Sequence, residues 1–219
     1  MTQRAVIWDL DGVLVDTGEL HYRSWCQALP EFGLSMTRDL FQATFGMNNA
    51  GILAVLLGRK PEPDLVKRVS ECKEEAFRAA ARGHVRPLPG VKDWLARLRT
   101  AGFRQAIGSS APPANIDELV DELGLREYFE ALVSGFDLPG KPDPAVFLKA
   151  AQALDVVPQR CVVVEDSVAG IEAAGRAGMK CIALATTNPP TALGAADLVV
   201  ARLDALPLDV FERLLSVEG

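Results

Sequence analysis

Short apolar runs alternate with amphipathic segments through most of this chain, and few folds accept that order. The runs are residues 5–8, 103–107, 131–133, 161–164, 181–185 and 198–200. Between them apolar residues recur at helical spacing. Val91, Trp94, Leu95 and Leu98 precede Gly102, Ile116, Leu119, Val120 and Leu123 precede Gly124, and Val146, Phe147, Ala150 and Leu154 follow the same rule. The alternation predicts an α/β fold, a parallel sheet with helices on both faces. One interval departs from it. Residues 17–83 hold no strand-like run, whereas Val66, Val69, Cys72 and Ala76 keep a helical period. We therefore expect a core of residues 1–16 and 85–219 and an inserted helical domain of residues 17–84. Residues 84–89, with two prolines, read as the return linker, and Pro30 as a break in the first inserted helix.

Composition narrows the function. The 219 residues are 49% hydrophobic and 24% charged, ordinary globular values, and carry a net charge of −6 without any lysine- or arginine-rich run. The electrostatic footprint of a nucleic-acid binder is absent. The longest apolar stretch, residues 52–57, is far short of the roughly 20 residues a spanning helix needs, so no membrane partner is expected. The start, Met1-Thr2-Gln3-Arg4, has no signal-peptide pattern. Cys26, Cys72, Cys161 and Cys181 lie far apart, which argues against zinc and for buried small hydrophobes in a reducing compartment. The expectation is a cytoplasmic protein, monomer or homodimer.

The polar residues that follow the strands carry the chemistry, because ligands of open parallel sheets bind beyond the carboxyl ends of the strands. Asp9 and Asp11 follow the first run, Ser109 and Ser110 the second, Gly140-Lys141-Pro142-Asp143-Pro144 the third, and Glu165-Asp166-Ser167 the fourth. Each has a plainer reading. Ser109 or Ser110, and Asp166 or Ser167, equally suit helix N-caps. Asp143 suits an N-cap before Pro144 at the first helical position. Lys141 alone reads as a loop lysine, although its flanking prolines stiffen the turn. Asp9 and Asp11 are hardest to explain away, since buried carboxylates are costly unless paired or metal-bound. Together the clusters supply acceptors for a divalent cation, a hydroxyl near a helix N-terminus and one ammonium, which suits a bound phosphate. Like charges about 4 Å apart repel by roughly 4 kcal/mol at an effective dielectric of 20. A phosphate among four carboxylates thus calls for a hard cation, and Mg²⁺ is the usual one.

Asp9-Leu10-Asp11-Gly12-Val13-Leu14-Val15-Asp16-Thr17, Ser109, Lys141 and Glu165-Asp166 resemble, in order and spacing, the four motifs of the haloacid-dehalogenase-like (HAD) phosphatase superfamily. The insertion after the first motif resembles the helical cap of the subgroup that contains β-phosphoglucomutase and many small phosphatases. The resemblance implies a Rossmann-like core and a set of roles. Asp9 is the nucleophile and forms an aspartyl-phosphate; Asp11 is the general acid and base. Mg²⁺ is held by Asp9, the carbonyl of Asp11 and Asp166, with Glu165 a direct or water-mediated ligand. Ser109 bonds the phosphoryl group and Lys141 neutralises charge. Gly12, Ser110, His21, Glu19 and Asn49 join the substrate-binding set. True dehalogenases lack the second aspartate, so Asp11 favours phosphoryl chemistry.

Within that subgroup the cap pattern is met by Asp16, Thr17, Glu19, His21 and Trp25. His21 and Trp25 share a helix face, and either contact the site or are surface and cap core respectively. A family lysine matches Lys73 only loosely, and a solvated face is the reading adopted for it. Two departures count against a mutase. Asn49 stands where the mutase has a phosphate-gripping arginine, and Ala111, Pro112 and Pro113 replace polar positions. An asparagine cannot form the charged fork that holds a second phosphate. The expectation is a Mg²⁺-dependent phosphatase acting on a small phosphorylated metabolite, of sugar or polyol type. The alternatives are a β-phosphoglucomutase-like mutase and a phosphate-binding regulator without turnover.

Overall fold

The computed structural model describes residues 3–216. In chain order its elements are β1 (Ala5–Trp8), α1 (Gly18–Ala28), α2 (Arg38–Thr44), α3 (Asn49–Leu57), α4 (Pro63–Ala81), α5 (Val91–Thr100), β2 (Arg104–Ser109), α6 (Pro113–Leu123), β3 (Ala131–Ser134), α7 (Ala145–Ala153), β4 (Cys161–Glu165), α8 (Val168–Arg176), β5 (Lys180–Leu184), β6 (Leu198–Val200) and α9 (Val210–Ser216). The strands form one sheet in the order β3-β2-β1-β4-β5-β6, every neighbouring pair parallel. This is the Rossmann-like α/β core that the alternation predicts.

Alternate residues of the central strands feed two separate cores, which is why the runs are mostly apolar; in β2 the buried Gln105 is hydrogen-bonded to Trp8 and to the Leu95 carbonyl. Val6, Trp8, Ile107, Val162 and Val164 pack beneath α5, α6 and α9. Ala5, Ile7, Ala106, Cys161 and Val163 pack beneath α7 and α8. Each fully buried large aliphatic or aromatic side chain contributes about 1.5–3 kcal/mol. Strand β2 runs two residues beyond its expected end, because Gly108 and Ser109 pair with Val133 and Ser134 of β3. Phe103 lies outside the ladder and packs in the first core instead.

Helices α1–α4 lie between β1 and α5 and gather around a third cluster that includes Trp25, Leu29, Phe41, Phe45 and Val69. As expected, Pro30 ends α1: a short 3₁₀ turn, Leu29–Phe32, follows Ala28. The chain leaves and re-enters the sheet layer at one place. Val15 bridges Pro87, and Leu88 N–H donates to the Leu14 carbonyl at 2.9 Å.

Two expectations are corrected. Only Cys161 and Cys181 are buried; Cys26 is exposed and Cys72 half-buried, neither being a member of the third cluster that α1 and α4 help build, and all four are free thiols. Asp143 is not the residue flanking α7, because Pro144 holds that place; Asp143 Oδ1 accepts from the Ala145 N–H at 2.9 Å from one residue further back. No helix among the described residues is long and apolar enough to cross a membrane.

Phe147 of α7 is fully buried in the second core, and its ring lies 4.8 Å from the Lys141 ammonium. Phe147→Ala is expected to cost about 3–5 kcal/mol in urea denaturation; a loss below about 1 kcal/mol would show that this core collapses around the missing ring.

Candidate active site

Strand order places the site. The chain builds β1, β2 and β3 to one side and β4, β5 and β6 to the other, so the reversal falls between β1 and β4. Asp9 extends β1 by one residue, its N–H donating to the Val164 carbonyl at 2.9 Å. Glu165 ends β4, and Asp166 follows it at the same edge. Asp9 is 4% exposed, and Glu165 and Asp166 are fully buried. One carboxylate oxygen from each lies within 4.8 Å of the others.

After Asp9 the chain must turn sharply past these carboxylates. Gly12 makes that possible: its φ is +80°, and a Cβ there would run into the Asp166 carboxylate and the Thr187 hydroxyl. Lys141 reaches in from the loop before α7. Its buried ammonium donates to Asp9 Oδ1 at 2.8 Å and to Glu165 Oε1 at 2.5 Å. Glu165 Oε2 accepts from the N–H groups of Asp166 and Ser167, at 2.8 and 2.7 Å, and from the Ser167 hydroxyl at 2.9 Å. The same Ser167 Oγ caps α8 by accepting from the Gly170 N–H. Both Glu165 oxygens are thus engaged. Asp166 differs. Its Oδ2 accepts from the Thr187 hydroxyl, whereas its Oδ1 is buried without a hydrogen-bond partner.

The electrostatics follow from this packing. Burial pushes the Asp9 carboxyl up to about 7, with Lys141 pulling down and Glu165 and Asp11 pushing further up. Burial, then the charges of Glu165 and Asp9, raise Asp166 well above the usual carboxylate range. Burial opposes the charge of Lys141, but Asp9 and Glu165 outweigh it and raise its pKa. One ammonium against three carboxylates leaves two negative charges in excess. The partnerless Asp166 Oδ1 and the oxygen-only donor set fit a hard dication, with Asp9 and Asp166 as its direct holders. The side chain of Asp11 is outside this acidic group.

Asp11 faces the insertion instead. Its Oδ1 accepts from the Thr17 hydroxyl and lies 3.0 Å from His21 Nε2. His21 Nδ1 lies 2.8 Å from the Lys73 ammonium, which donates to Glu74 Oε1 at 2.9 Å. An ammonium has no acceptor, so His21 Nδ1 accepts and Nε2–H donates to Asp11. Burial pushes Asp11 upward, but His21, Thr17 and Lys73 outweigh it and hold its pKa low. His21 is stacked on Phe77, the ring centroids 4.0 Å apart.

A pocket opens over these groups. Asp9, Asp11, Ser109 and Ser110 wall it from the sheet side, and His21, Trp25, Phe41, Phe45, Asn49 and Lys73 from the insertion. Ser109 Oγ accepts from the Ala111 N–H, and Ser110 donates to the Gly46 carbonyl at 2.8 Å, so neither serine caps α6. Gly46, with φ of +89°, lies so close to Ser167 that a Cβ would meet its Oγ at 2.5 Å.

Two assignments from the sequence change. Glu19 does not line the pocket; it is half-exposed on α1, and its carboxylate is held by Arg23 at 2.9 Å and Arg38 at 2.6 Å. Lys73 is not on a solvated face but 3% exposed between His21 and Glu74. Sequence reasoning also passed over Thr186, Thr187 and Asn188. Thr186 donates to the Gly12 carbonyl, and Asn188 to the Asp166 carbonyl. Their signal is position: they stand just past the carboxyl end of β5, as the other site residues stand past β1, β2 and β4.

The chain belongs to the haloacid dehalogenase-like hydrolases, whose family profile matches residues 3–178. It is thus a hydrolase of that family, and it is similar to phosphatases and to a mutase within it. It is 34% identical over 215 residues to the chloroplastic 5-amino-6-(5-phospho-D-ribitylamino)uracil phosphatase of Arabidopsis thaliana, covering 97% of this chain but only 58% of that protein's length. It is 33% identical over 183 residues to the phosphorylated carbohydrates phosphatase of Thermotoga maritima, covering 81% of this chain and 83% of that one. It is 32% identical over 221 residues to the β-phosphoglucomutase of Bacillus subtilis, covering 96% and 94%.

A dication that binds only the folded acidic cluster stabilises the fold by mass action, about 2.7 kcal/mol at a hundredfold excess over Kd. Mg²⁺ is expected to raise the melting temperature of the wild type by roughly 5–10 °C and that of Asp166→Asn by little. In chelator, Asp166→Asn is expected to melt at or above the wild type, because a buried unpaired charge is gone. Scanning fluorimetry with and without Mg²⁺ measures both.

Proposed function

We propose that the protein is a Mg²⁺-dependent phosphatase that hydrolyses the monophosphate ester of a small sugar or polyol through an aspartyl-phosphate. The observation that carries this reading is the pairing of Asp9, ion-paired to buried Lys141 beside Glu165 and Asp166, with Asp11 two residues on in the same pocket. The named activities of the Arabidopsis and Thermotoga relatives support it.

In this mechanism the Asp9 carboxylate attacks phosphorus and the P–O bond to the alcohol breaks. Asp11 delivers a proton to the departing alkoxide. Asp11 is held ionised in the free site, so the proton it delivers is one taken up with the incoming phosphate, whose negative charge favours protonation of the carboxylate beside it; Oδ1 already receives Thr17 and His21, which leaves Oδ2 to carry it. Water then attacks the aspartyl-phosphate, Asp11 takes its proton, and inorganic phosphate leaves with the Asp9 carboxylate restored. Lys141 and the Ser109 hydroxyl hold the charge of the phosphoryl oxygens. Asp9, Asp166 and the Asp11 carbonyl, with Glu165 behind them, would hold Mg²⁺, which when bound would neutralise charge between the carboxylates and the phosphate. Gly12 lets the backbone approach the phosphoryl group, and Ser110 and Asn49 line its surroundings.

Residues 17–84 act as a cap, hinged at residues 15–18 and 83–89, that closes over the substrate and excludes water. Four contacts support closure as the arrangement described: His21 with Asp11, Ser110 with Gly46, Asn48 with the Leu138 carbonyl and Gln42 with the Thr187 carbonyl. The work is placed in the cytoplasm, where the four free thiols stay reduced.

The mutase relative raises a second reading, and the cap side of the pocket weighs against it. Lys73 is the cation there, already paired with Glu74, and Asn49 donates to Glu74 as well. Among the described residues of that wall, no unpaired positive charge meets a second phosphate. A binding protein without turnover would not need the assembled Asp9, Asp11 and Lys141.

Asp9→Asn is expected to lower phosphate release from sugar and polyol phosphates by a factor on the order of 10³ or more with melting temperature nearly kept. Surviving activity would remove Asp9 as nucleophile. Isomerisation of a hexose 1-phosphate, with its bisphosphate and Mg²⁺ present and no phosphate released, would establish the mutase instead.

A further inference from the structure

The loop that leads to Lys141 is held from the insertion as well as from the sheet layer. Residues 135–140 join β3 to that lysine. On the sheet side the Gly135 N–H donates to the Ser109 carbonyl at 2.7 Å, and Leu138 packs against the second core. From the other side comes Asn48, 6% exposed, whose Nδ2 donates to the Leu138 carbonyl at 3.1 Å. Its Oδ1 is used too: it accepts from the Gly51 N–H at 3.0 Å and so caps α3. One side-chain amide thus begins a helix of the insertion and grips the segment just before the lysine.

The core is shaped to receive that amide. Gly140 directly precedes Lys141, and its backbone is outside the left-handed region, so the turn itself does not call for glycine. Space does. The three atoms nearest to a Cβ placed there all belong to Asn48, at 2.9, 3.0 and 3.1 Å. Two residues before Asn48, the Gly46 carbonyl takes the Ser110 hydroxyl, and Gly46 lies against Ser167. The stretch 46–48 therefore touches the segments that follow β2, β3 and β4.

We propose that Asn48 is a positioning residue for Lys141: with the insertion closed, its amide fixes the 138–140 segment so that the ammonium stands between Asp9 and Glu165. The inference rests on the phosphatase reading and adds to it. An ammonium that meets two carboxylates at 2.8 and 2.5 Å tolerates little drift of the backbone behind it. Closure of the insertion and placement of the positive charge are then one event. When the insertion swings away the tie is broken, and the lysine loop keeps only its sheet-side contacts.

The test separates the two halves of the amide. Asn48→Ser keeps an oxygen to cap α3 but is too short to reach Leu138, whereas Asn48→Ala loses both. In Asn48→Ser the melting temperature is expected to stay near that of the wild type. Its kcat for sugar phosphates with Mg²⁺ is expected to fall about tenfold, with KM changed less than about threefold. Amide hydrogen exchange in residues 135–141 is expected to quicken about tenfold while Gly51 keeps its protection. Asn48→Ala is expected to melt lower and to expose Gly51 as well. Gly140→Ala, which presses on Asn48, is expected to lower kcat in the wild type and to add nothing in Asn48→Ser. Unchanged kcat or unchanged loop exchange in Asn48→Ser overturns the proposal. So does an equal loss from Gly140→Ala in both backgrounds. Activity lost in Asn48→Ala but kept in Asn48→Ser makes Asn48 a helix cap alone. No release from sugar phosphates by the wild type overturns the phosphatase reading itself, and the exchange comparison still decides whether Asn48 holds the loop.

Discussion

One buried ammonium set against three buried carboxylates governs this molecule. Lys141 reaches Asp9 and Glu165 across 132 and 24 residues of chain, and Asp166 stands beside them. No apolar alternative would leave charge so unbalanced at the centre of a fold. Removing the Lys141 ammonium is the costly change, because it leaves the carboxylates buried without their cation, whereas neutralising one carboxylate relieves repulsion. The fold is arranged to tolerate it. Parallel strands bring the carboxylates to one edge, the backbone of Asp166 and Ser167 just before α8 presents N–H groups to Glu165, and Thr187 fixes one oxygen of Asp166.

The insertion addresses a different problem. Asp11 sits two residues from Asp9, yet its side chain turns from the acidic cluster to Thr17 and His21. Thr17 and His21 come from the insertion, so the state of Asp11 depends on where the helices lie. His21 is itself oriented by Lys73, and Lys73 by Glu74, which Asn115 ties back to the core. Asp11 is thus wired to both layers of the protein.

Much of this was legible in the sequence, and the reasons differ by residue. The strands were readable because the central ones, buried on both faces, are apolar at most positions. Asp9, Asp11, Lys141 and Glu165-Asp166 were readable together, because each alone suits a cap or a loop but all follow strands of one parallel sheet. Glu19 and Lys73 were misplaced because helical spacing gives a face but not what covers it: Arg38 comes from another helix to claim Glu19, and His21 from another to bury Lys73. Glu74 and Asn115 left no local signal at all. Their meaning lies in an encounter between α4 and α6 that only tertiary packing creates.

The entry and exit of the insertion are adjacent, joined where Val15 bridges Pro87 and Leu88 bonds Leu14. Bridged segments lie about one strand spacing, roughly 5 Å, apart. Seen from the sheet, the whole run of helices α1–α4 therefore counts as a single excursion between neighbouring points. Lengthening, shortening or exchanging that excursion leaves every strand in register, since loop closure between fixed near ends varies only slowly with length. The sheet edge can in this way stay constant while the lobe above it is exchanged or remodelled.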